Sequence, residues 1–272
     1  MNALTTILFS RNRYFQLKEV LRTMKTFVPS NSIVVLAKYD IPAPAGYWEL
    51  PVFDGVTVVD ECEFDFDVRR MIASISTELV MFAVDDMVFF RRVPVDAIQY
   101  QMKCKPRAYG FHSRLHPGVS RCGSCNGELM SVPHFELVGS LLRFNRRLGT
   151  LDWNYPFEAD GGIYRTGDIR GIMHSVPSLR NPSPFEGRLC AAARIARWSN
   201  TGLCMNEPRS IGICINKVNE DTDAAATVID CLYSLDELNS HIEWEIDEDW
   251  FTINPQNQVH VGCMPIRKVA SC

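Results

Sequence analysis

Residues 78–90 of the 272-residue chain read ELVMFAVDDMVFF. The apolar run leads directly into two adjacent acids, Asp85 and Asp86, and resumes after them. An apolar run of strand length without polar alternation is typical of a strand buried on both faces, as in a parallel sheet covered by helices. Because ligands of open α/β sheets bind beyond the carboxyl ends of the strands, this stretch predicts an α/β fold with a ligand site at the two acids.

Runs of the same kind precede this stretch along the chain. Apolar residues predict buried strands over 4–10 and 32–37 and a shorter third strand over 56–59. Apolar residues at helical spacing predict helices over 14–27 and 66–76, which alternate with the strands. This alternation indicates a Rossmann-like, mostly parallel central sheet flanked by helices.

Several polar residues follow the predicted strands directly. They are Ser10, Arg11, Asp40 and Asp60. Since the carboxyl ends of parallel strands share one edge of a sheet, we expect these residues to lie near the two acids around one ligand.

The pattern changes after about residue 108. Residues 110–127 hold five glycines or prolines and few apolar residues, which predicts a long loop or an insertion. Farther on, the sequence predicts a helix over 184–197 with Ser183 as its cap, a strand near 211–215 and a helix near 234–240. No linker or repeat indicates a second domain.

The overall composition argues against several classes of protein. The formal net charge is −4, whereas proteins that hold nucleic acid usually carry a basic excess. No apolar run approaches the roughly 18 residues of a membrane-spanning helix. The first residues lack the charged and apolar regions of a signal peptide. The sequence therefore predicts a soluble, cytoplasmic protein that does not bind nucleic acid.

The two adjacent acids suggest a bound cation. Neighbouring carboxylates repel each other unless a cation lies beside them. Hard divalent ions such as Mg²⁺ and Mn²⁺ prefer oxygen ligands and would bridge Asp85 and Asp86 to a diphosphate. The alternative is a solvated turn that happens to carry two acids, and the apolar runs on both sides favour the cation.

Segments spread along the chain resemble the GT-A type of glycosyltransferase. Residues 79–89 resemble the strand and DxD-type motif of that family, and residues 7–13, ILFSRNR, are similar to the opening Phe-Ser-x-x-Arg turn of one subgroup. Residues 155–162, YPFEADGG, resemble the subgroup's Tyr-Pro…Asp-Gly segment. Residues 181–186 and 215–218 also have counterparts there. The matches follow one another in order over most of the chain.

The resemblance implies a fold and an activity. The fold would be a single GT-A domain over 1–272, with the nucleotide bound by about residues 1–105 and the acceptor by about residues 106–272. The activity would be hexosyl or pentosyl transfer from a nucleotide-sugar donor, most simply a UDP-sugar, to a glycan hydroxyl. It would invert the anomeric carbon with assistance from a metal ion.

The same resemblance implies ligands for that metal ion. Asp85 and Asp86 would hold Mn²⁺ or Mg²⁺, and His260 would face the metal or the diphosphate, as a C-terminal histidine does in several members. The chain departs from the full motif at Met87, where the family often places a third acid, which leaves the strength of metal binding open. For His260 the alternative is a partly buried structural residue in a strand.

Four residues are expected at the nucleotide. The resemblance implies that Ser10, Arg11 and Arg13 face the base or the diphosphate, and that Asp40 accepts a hydrogen bond from a uracil N–H. The alternatives are structural: Ser10 or Asn12 would cap the following helix, and Asp40 would form an Asx turn.

Asp160 is the predicted catalytic base. An inverting transfer needs a carboxylate that takes the proton of the attacking hydroxyl. Two glycines follow Asp160 and would let backbone and substrate approach closely. Glu158 is the alternative base, and a purely structural Asp-Gly turn is the alternative to catalysis.

A second metal site is a hypothesis for the loop-rich segment. His112, His116, Cys122 and Cys125 offer four zinc ligands, and the Cys-x2-Cys spacing is typical of structural zinc. The usual distant second pair is missing, so surface thiols and polar loop residues are the alternative.

Two rival functions stay open. A nucleotidyltransferase would have a similar sheet and metal-binding acids, but it usually has a glycine-rich phosphate loop after the first strand, and residues 10–13 contain no glycine. A non-catalytic carbohydrate- or zinc-binding protein would keep the fold without the chemistry.

Overall fold

The computed structural model describes residues 3–29, 31–40, 55–105, 107–215, 234–240 and 243–269. The strands are β1 (Leu4–Arg11), β2 (Asn31–Lys38), β3 (Val56–Asp60), β4 (Leu79–Val84), β5 (Met87–Phe89), β6 (Gly110–His112), β7 (Arg121–Cys122), β8 (Glu128–Leu129), β9 (Phe135–Val138), β10 (Leu141–Asn145), β11 (Gly162–Arg165), β12 (Thr201–Cys204), β13 (Ser210–Ile213), β14 (Trp244–Ile246), β15 (His260–Val261) and β16 (Ile266–Lys268). The helices are α1 (Tyr14–Phe27), α2 (Phe64–Ser74), α3 (Val95–Lys103), α4 (Thr166–Met173), α5 (Pro182–Ile195), α6 (Leu235–Ser240) and α7 (Glu248–Ile253).

The central sheet has nine strands in the order β3-β2-β1-β4-β11-β6-β12-β10-β9. Strands β3, β2, β1 and β4 pair in parallel, and β11 and β10 are each antiparallel to both of their neighbours. With β6 parallel to β12, only these two strands run against the other seven. Helices α1 and α3 cover one face, and α2, α4 and α5 cover the other. The predicted α/β fold with a mostly parallel central sheet is confirmed.

Strand β4 shows why its sequence is apolar without alternation. Successive side chains of a strand point to opposite faces. Met81 packs with α1 and α3, whereas Phe82 packs on the opposite face, 5.3 Å from the ring centroids of both Phe157 and Phe185. Burying a side chain of this size stabilises the fold by about 1.5–3 kcal/mol. Alternate residues of the apolar run therefore stabilise opposite faces of the sheet.

A second, three-stranded sheet meets the central sheet at the two acids. Strand β13 lies between β5 and β15. Because β5 follows β4 after a two-residue turn, Asp85 and Asp86 form the corner between the two sheets. The Ile213 N–H donates to the backbone carbonyl of Asp86 at 2.6 Å, which ties the corner to β13. His260, the first residue of β15, pairs with Gly212 in the same small sheet.

Two helices start earlier than the sequence-based predictions, because a side chain accepts backbone N–H groups at or just before the first turn of each helix. The helix predicted to begin at 184 begins at Pro182, since the side chain of Asn181, not Ser183, accepts the Ser183 N–H. The helix predicted over 66–76 begins at Phe64, where the Asp67 carboxylate accepts the N–H groups of the two residues before the helix.

Helix α1 has the predicted bounds, 14–27, and the alternative role of Ser10 or Asn12 as its cap is not observed. Neither Ser10 nor Asn12 caps it; Arg13 stands at the cap position without a side-chain hydrogen bond to the helix. The backbone of Asn12 is left-handed, with φ of 55°, and its side-chain amide bonds Asp40 instead.

The segment predicted to be a long loop over 110–127 is only partly irregular. It contains β6, which is a strand of the central sheet, as well as β7 and a short 3-10 helix over Gly123–Cys125. The two-residue and three-residue strands are too short to show a pattern in the sequence. Among the residues that the structure describes, no helix combines the length and apolar character needed to cross a membrane.

Candidate active site

Arg13 and the two acids form one charged cluster at the carboxyl ends of β1 and β4. The Asp85 carboxylate accepts the Arg11 backbone N–H at 3.0 Å and a hydrogen bond from the Ser10 hydroxyl. Arg13 Nη1 lies 3.2 Å from Asp85 Oδ1 and 3.0 Å from Asp86 Oδ2. The structure thus brings together five of the predicted nucleotide-binding residues, and their arrangement follows from the parallel pairing of β1 with β4.

The cluster carries more negative than positive charge. Burial raises the pKa of Asp85 to about 6, and the neighbouring Asp86 adds to the shift while Arg13 opposes it. Asp85 is buried, whereas the side chain of Asp86 is about a quarter exposed. One guanidinium therefore leaves two carboxylates incompletely neutralised, and the exposed one is turned towards solvent and any ligand.

A cavity of about 500 Å³ opens beside this cluster. Clefts of about 300–1,000 Å³ are typical of small-molecule sites. One side holds residues from the predicted nucleotide half and the other holds residues from the predicted acceptor half. The charged and polar residues at its wall include Ser10, Arg11, Arg13, Lys38, Glu61, Asp85, Asp86, Asp160, Glu186, Cys214 and His260.

Asp160 reaches the cavity from the opposite side. It precedes Gly161, whose backbone has φ of 85°, and a Cβ at Gly161 would lie 2.3 Å from Ser113 Oγ and 2.6 Å from Met87 Cε. Only glycine fits this turn, which carries Asp160 around to the corner between the sheets. The Gly161 N–H donates to the Phe82 carbonyl at 2.8 Å, so the turn is fixed to β4.

Asp160 is held ionised by a buried guanidinium. Its Oδ2 lies 3.1 Å from Arg114 Nη1 and 3.2 Å from His260 Nε2. Burial opposes ionisation, but the positive charge of Arg114, followed by the contact with His260, lowers the pKa of Asp160 to about 2. Asp160 is thus ionised at neutral pH. Arg114 and His260 hold its Oδ2, and the residue lines the cavity.

Glu158, the alternative base, occupies a different environment. Its two oxygens face Arg114 Nη2 at 2.8 Å and His112 Nδ1 at 3.0 Å. These two groups lower the pKa of Glu158 against the effect of burial, Arg114 more than His112. The side chain is 6% exposed and is not part of the cavity wall. The structure thus places Glu158 behind Asp160, with Arg114 between them.

Asp40 lies away from the cavity wall. Its carboxylate accepts from the Asn12 side-chain amide at 2.8 Å, and its own N–H donates to Asn12 Oδ1 at 2.9 Å. These two hydrogen bonds connect the residues that follow β1 and β2. The following residues, 41–54, lie outside the described part of the chain, as do residues 216–218 of the last family-like segment.

The structure corrects the zinc prediction. His112 uses both ring nitrogens inside the core, on Glu158 and on the Tyr109 hydroxyl at 2.7 Å, while His116 contacts the Gln256 carbonyl at 3.2 Å. Cys122 lies 3.7 Å from Asp152. Within the described ranges, no three or more His, Cys, Asp or Glu side chains form a group suited to a metal ion.

A divalent cation at Asp85 and Asp86 would need ligands from outside the protein. Magnesium-like ions are commonly bound by one or two carboxylates, with substrate phosphates and water completing the shell. The incompletely neutralised acids beside the cavity fit that arrangement. His260 Nε2 faces Arg114 at 2.7 Å and Asp160 at 3.2 Å, whereas its buried Nδ1 has no hydrogen-bond partner among the described residues.

The sequence does not signal two residues of this site and one property of a third. Arg114, 4% exposed, organises the acids of the acceptor side, yet nothing in its local sequence sets it apart. Glu186 lies in a segment with a family counterpart, and it faces the cavity from α5. Arg11 is a predicted nucleotide-binding residue. The sequence does not predict that its buried Nε has no hydrogen-bond partner among the described residues.

Comparison with known proteins identifies one relative by sequence. The chain is 26% identical over 271 residues to the bifunctional glycosyltransferase pgtA of Dictyostelium discoideum. The match covers 88% of this chain and 35% of pgtA, so the chain spans about a third of its relative's length. The relative's name agrees with the family that the sequence motifs resemble. No protein-family model matches the chain.

Solved structures offer looser likenesses. One is the mannosyltransferase PcManGT from Pyrobaculum calidifontis in complex with GDP-Man and Mn²⁺, at 12% identity over 76% of this chain and 55% of that chain, with a TM-score of 0.43. Another is S. aureus TarS, at 12% identity over 76% of this chain and 36% of that chain, with a TM-score of 0.47. TM-scores below 0.5 are too low to establish a shared architecture.

Proposed function

We propose that this chain is a glycosyltransferase that moves a sugar from a nucleotide-sugar donor to a hydroxyl acceptor. The observation that best supports this proposal is the cavity. The Arg13–Asp85–Asp86 cluster lies on one side of it, and an ionised carboxylate, Asp160, lies on the other. The sequence relative, a glycosyltransferase by name, supports the same class of reaction. The proposal includes the GT-A organisation, with residues 1–105 at the nucleotide and residues 106–272 at the acceptor.

The arginines on one side of the cavity suit a diphosphate. Arg11 and Arg13 present guanidinium groups that pair with phosphate oxygens, and Ser10 adds a hydroxyl to the same wall. Mn²⁺ or Mg²⁺ at Asp85 and Asp86 would supply further positive charge for the leaving diphosphate. We take a UDP-sugar as the donor class and hexosyl or pentosyl transfer as the reaction.

Asp160 is the proposed catalytic carboxylate. Arg114 and His260 hold one of its oxygens, so the group is oriented before substrate arrives. An acceptor hydroxyl in the cavity would donate a hydrogen bond to Asp160 and lose its proton as the oxygen attacks the anomeric carbon. Attack from the side opposite the diphosphate inverts that carbon. Glu158 supports this arrangement from behind through Arg114.

Binding measurements test the nucleotide half of this proposal. Isothermal calorimetry with UDP, with and without Mn²⁺, should show binding to the wild type that the metal strengthens. Asp86→Ala should lose most of the metal-dependent part, because Asp86 is the exposed acid of the cluster. Asp96→Ala, which removes an exposed acid of α3, is the matched control. Equal affinity for UDP with Mn²⁺ in wild type and Asp86→Ala would eliminate the metal bridge.

A further inference from the structure

Two carboxyl groups face the acceptor side of the cavity, and their partners differ. Asp160 is tied to Arg114 and His260. Glu186 instead accepts the Ala159 N–H at 3.3 Å and shares a hydrogen bond with the Tyr155 hydroxyl. The described residues include no ion-pair partner for Glu186. Glu186 is therefore a cavity-facing carboxyl group for which the described part of the chain offers no ion pair.

The fold positions Glu186 firmly. Helix α5 starts at the Asn181 cap, and the fully buried Phe185 packs among the rings of Phe9, Phe82 and Phe157 at centroid distances of 5.3–5.7 Å. With Phe185 in the core, the next residue is directed to the cavity. The bond to Ala159 places the carboxyl group beside the residue that precedes Asp160.

The charges around Glu186 disfavour its ionised form. The titratable and charged groups that face it are Asp160, Glu158, Arg114 and Tyr155 from neighbouring segments and Cys190 from its own helix. Burial raises the pKa of Glu186 to about 8, and the negative charge of Asp160 adds to the shift while Arg114 opposes it. Two carboxyl groups at one site thus differ widely in their affinity for a proton, a pattern that separates acid and base roles in many enzymes.

We propose that Glu186 is a second catalytic carboxylate, which holds the acceptor's proton at the end of the transfer. This inference rests on the proposed glycosyl transfer. The acceptor O–H bond breaks and its oxygen bonds the anomeric carbon, while the bond from that carbon to the diphosphate breaks and its electron pair leaves with the diphosphate. The proton passes from the hydroxyl to Asp160 and on to Glu186, which returns it to solvent through the cavity.

Donor hydrolysis, with water in place of the unidentified acceptor, provides the assay. Release of nucleoside diphosphate from UDP-glucose, UDP-galactose, UDP-N-acetylglucosamine and GDP-mannose is measured between pH 6 and pH 9.5. Glu186 must be ionised to accept the proton. The wild-type rate should therefore fall about tenfold per pH unit below about pH 8. Glu186→Gln should lower the rate at pH 9 by at least about a hundredfold and abolish this slope.

Three further variants and a stability measurement make the result decisive. Glu186→Asp keeps a carboxyl group and should retain the slope at a reduced rate. Asp160→Asn should also be slow, and its slope should move to lower pH, because the negative charge of Asp160 no longer raises the pKa of Glu186. Glu128→Gln changes an exposed acid of β8 and should behave as wild type. The melting temperature of Glu186→Gln should exceed that of wild type more at pH 9 than at pH 5, because a raised pKa costs stability as the pH rises above the unfolded value.

The outcomes separate the two proposals. A folded Glu186→Gln with a wild-type rate and slope would overturn the role of Glu186. If Glu186→Gln does not fold, a Glu186→Asp variant with unchanged rate and slope would overturn it equally. Folded wild-type protein that neither binds nor cleaves any of the donors would instead refute the glycosyltransferase proposal itself.

Discussion

Replacement of Arg114 by Met tests whether the acceptor side of the cavity is built on one buried guanidinium. Arg114 is 4% exposed and contacts Glu158 at 2.8 Å, Asp160 at 3.1 Å and His260 at 2.7 Å. Removing one partner from a buried ion pair costs about 3–5 kcal/mol, because the remaining charge is left uncompensated. Since two carboxylates lose their cation here, Arg114→Met should destabilise the protein by at least about 3 kcal/mol.

A double-mutant cycle in urea separates the ion pair from lost packing. For a chain of this size, about 3 kcal/mol corresponds to a fall in melting temperature of about 6–12 °C. Glu158→Gln removes the more deeply buried partner, so Arg114→Met with Glu158→Gln should be less destabilised than the sum of the single changes, by about 1–3 kcal/mol. Additive effects, or a loss below about 1 kcal/mol in Arg114→Met alone, would refute the view that Arg114 organises these acids.

Three other changes test separate parts of the account. Arg11→Met should weaken UDP binding in calorimetry while leaving the melting temperature unchanged, since the Arg11 side chain reaches the cavity and only its backbone supports Asp85; unchanged affinity would remove Arg11 from the site. Gly161→Ala should lower stability by about 1–3 kcal/mol in urea unfolding, because φ is 85° and Met87 and Ser113 crowd the added Cβ; a neutral effect would contradict the turn geometry. Elemental analysis should find substoichiometric zinc in purified protein, because His112 is used inside the core; one zinc per chain would reverse that conclusion.

The half of the fold that we propose to bind the nucleotide is well predicted from the sequence because its signals are local. Strands β1, β2 and β4 are buried on both faces, so each is a continuous apolar run that stands out from its surroundings. Parallel pairing then brings Ser10, Arg11 and the two acids to one edge without further information. Two helices start two residues earlier than predicted, because the side chains of Asn181 and Asp67 accept backbone N–H groups at or just before the first turn.

The half that we propose to bind the acceptor depends on contacts between distant parts of the chain. Strand β11 has four residues and lies between β4 and β6, far from both in sequence. Arg114 meets Glu158 across 44 residues and His260 across 146 residues, and no local pattern signals either contact. His112 has the residue type and spacing of a zinc ligand, but the tertiary structure uses both its nitrogens in the core.

The most direct test of the central claim is the release of nucleoside diphosphate from nucleotide sugars by wild type and Asp160→Asn. The assay uses UDP-hexoses, a UDP-pentose and GDP-mannose with Mn²⁺ and a mixture of glycan acceptors. We expect the wild type to release nucleoside diphosphate from at least one donor. Asp160→Asn should release it at least about a hundredfold more slowly, and the two proteins should bind the nucleotide with equal affinity. Release at the same rate by Asp160→Asn, or none by folded wild-type protein with any donor, would contradict the central claim.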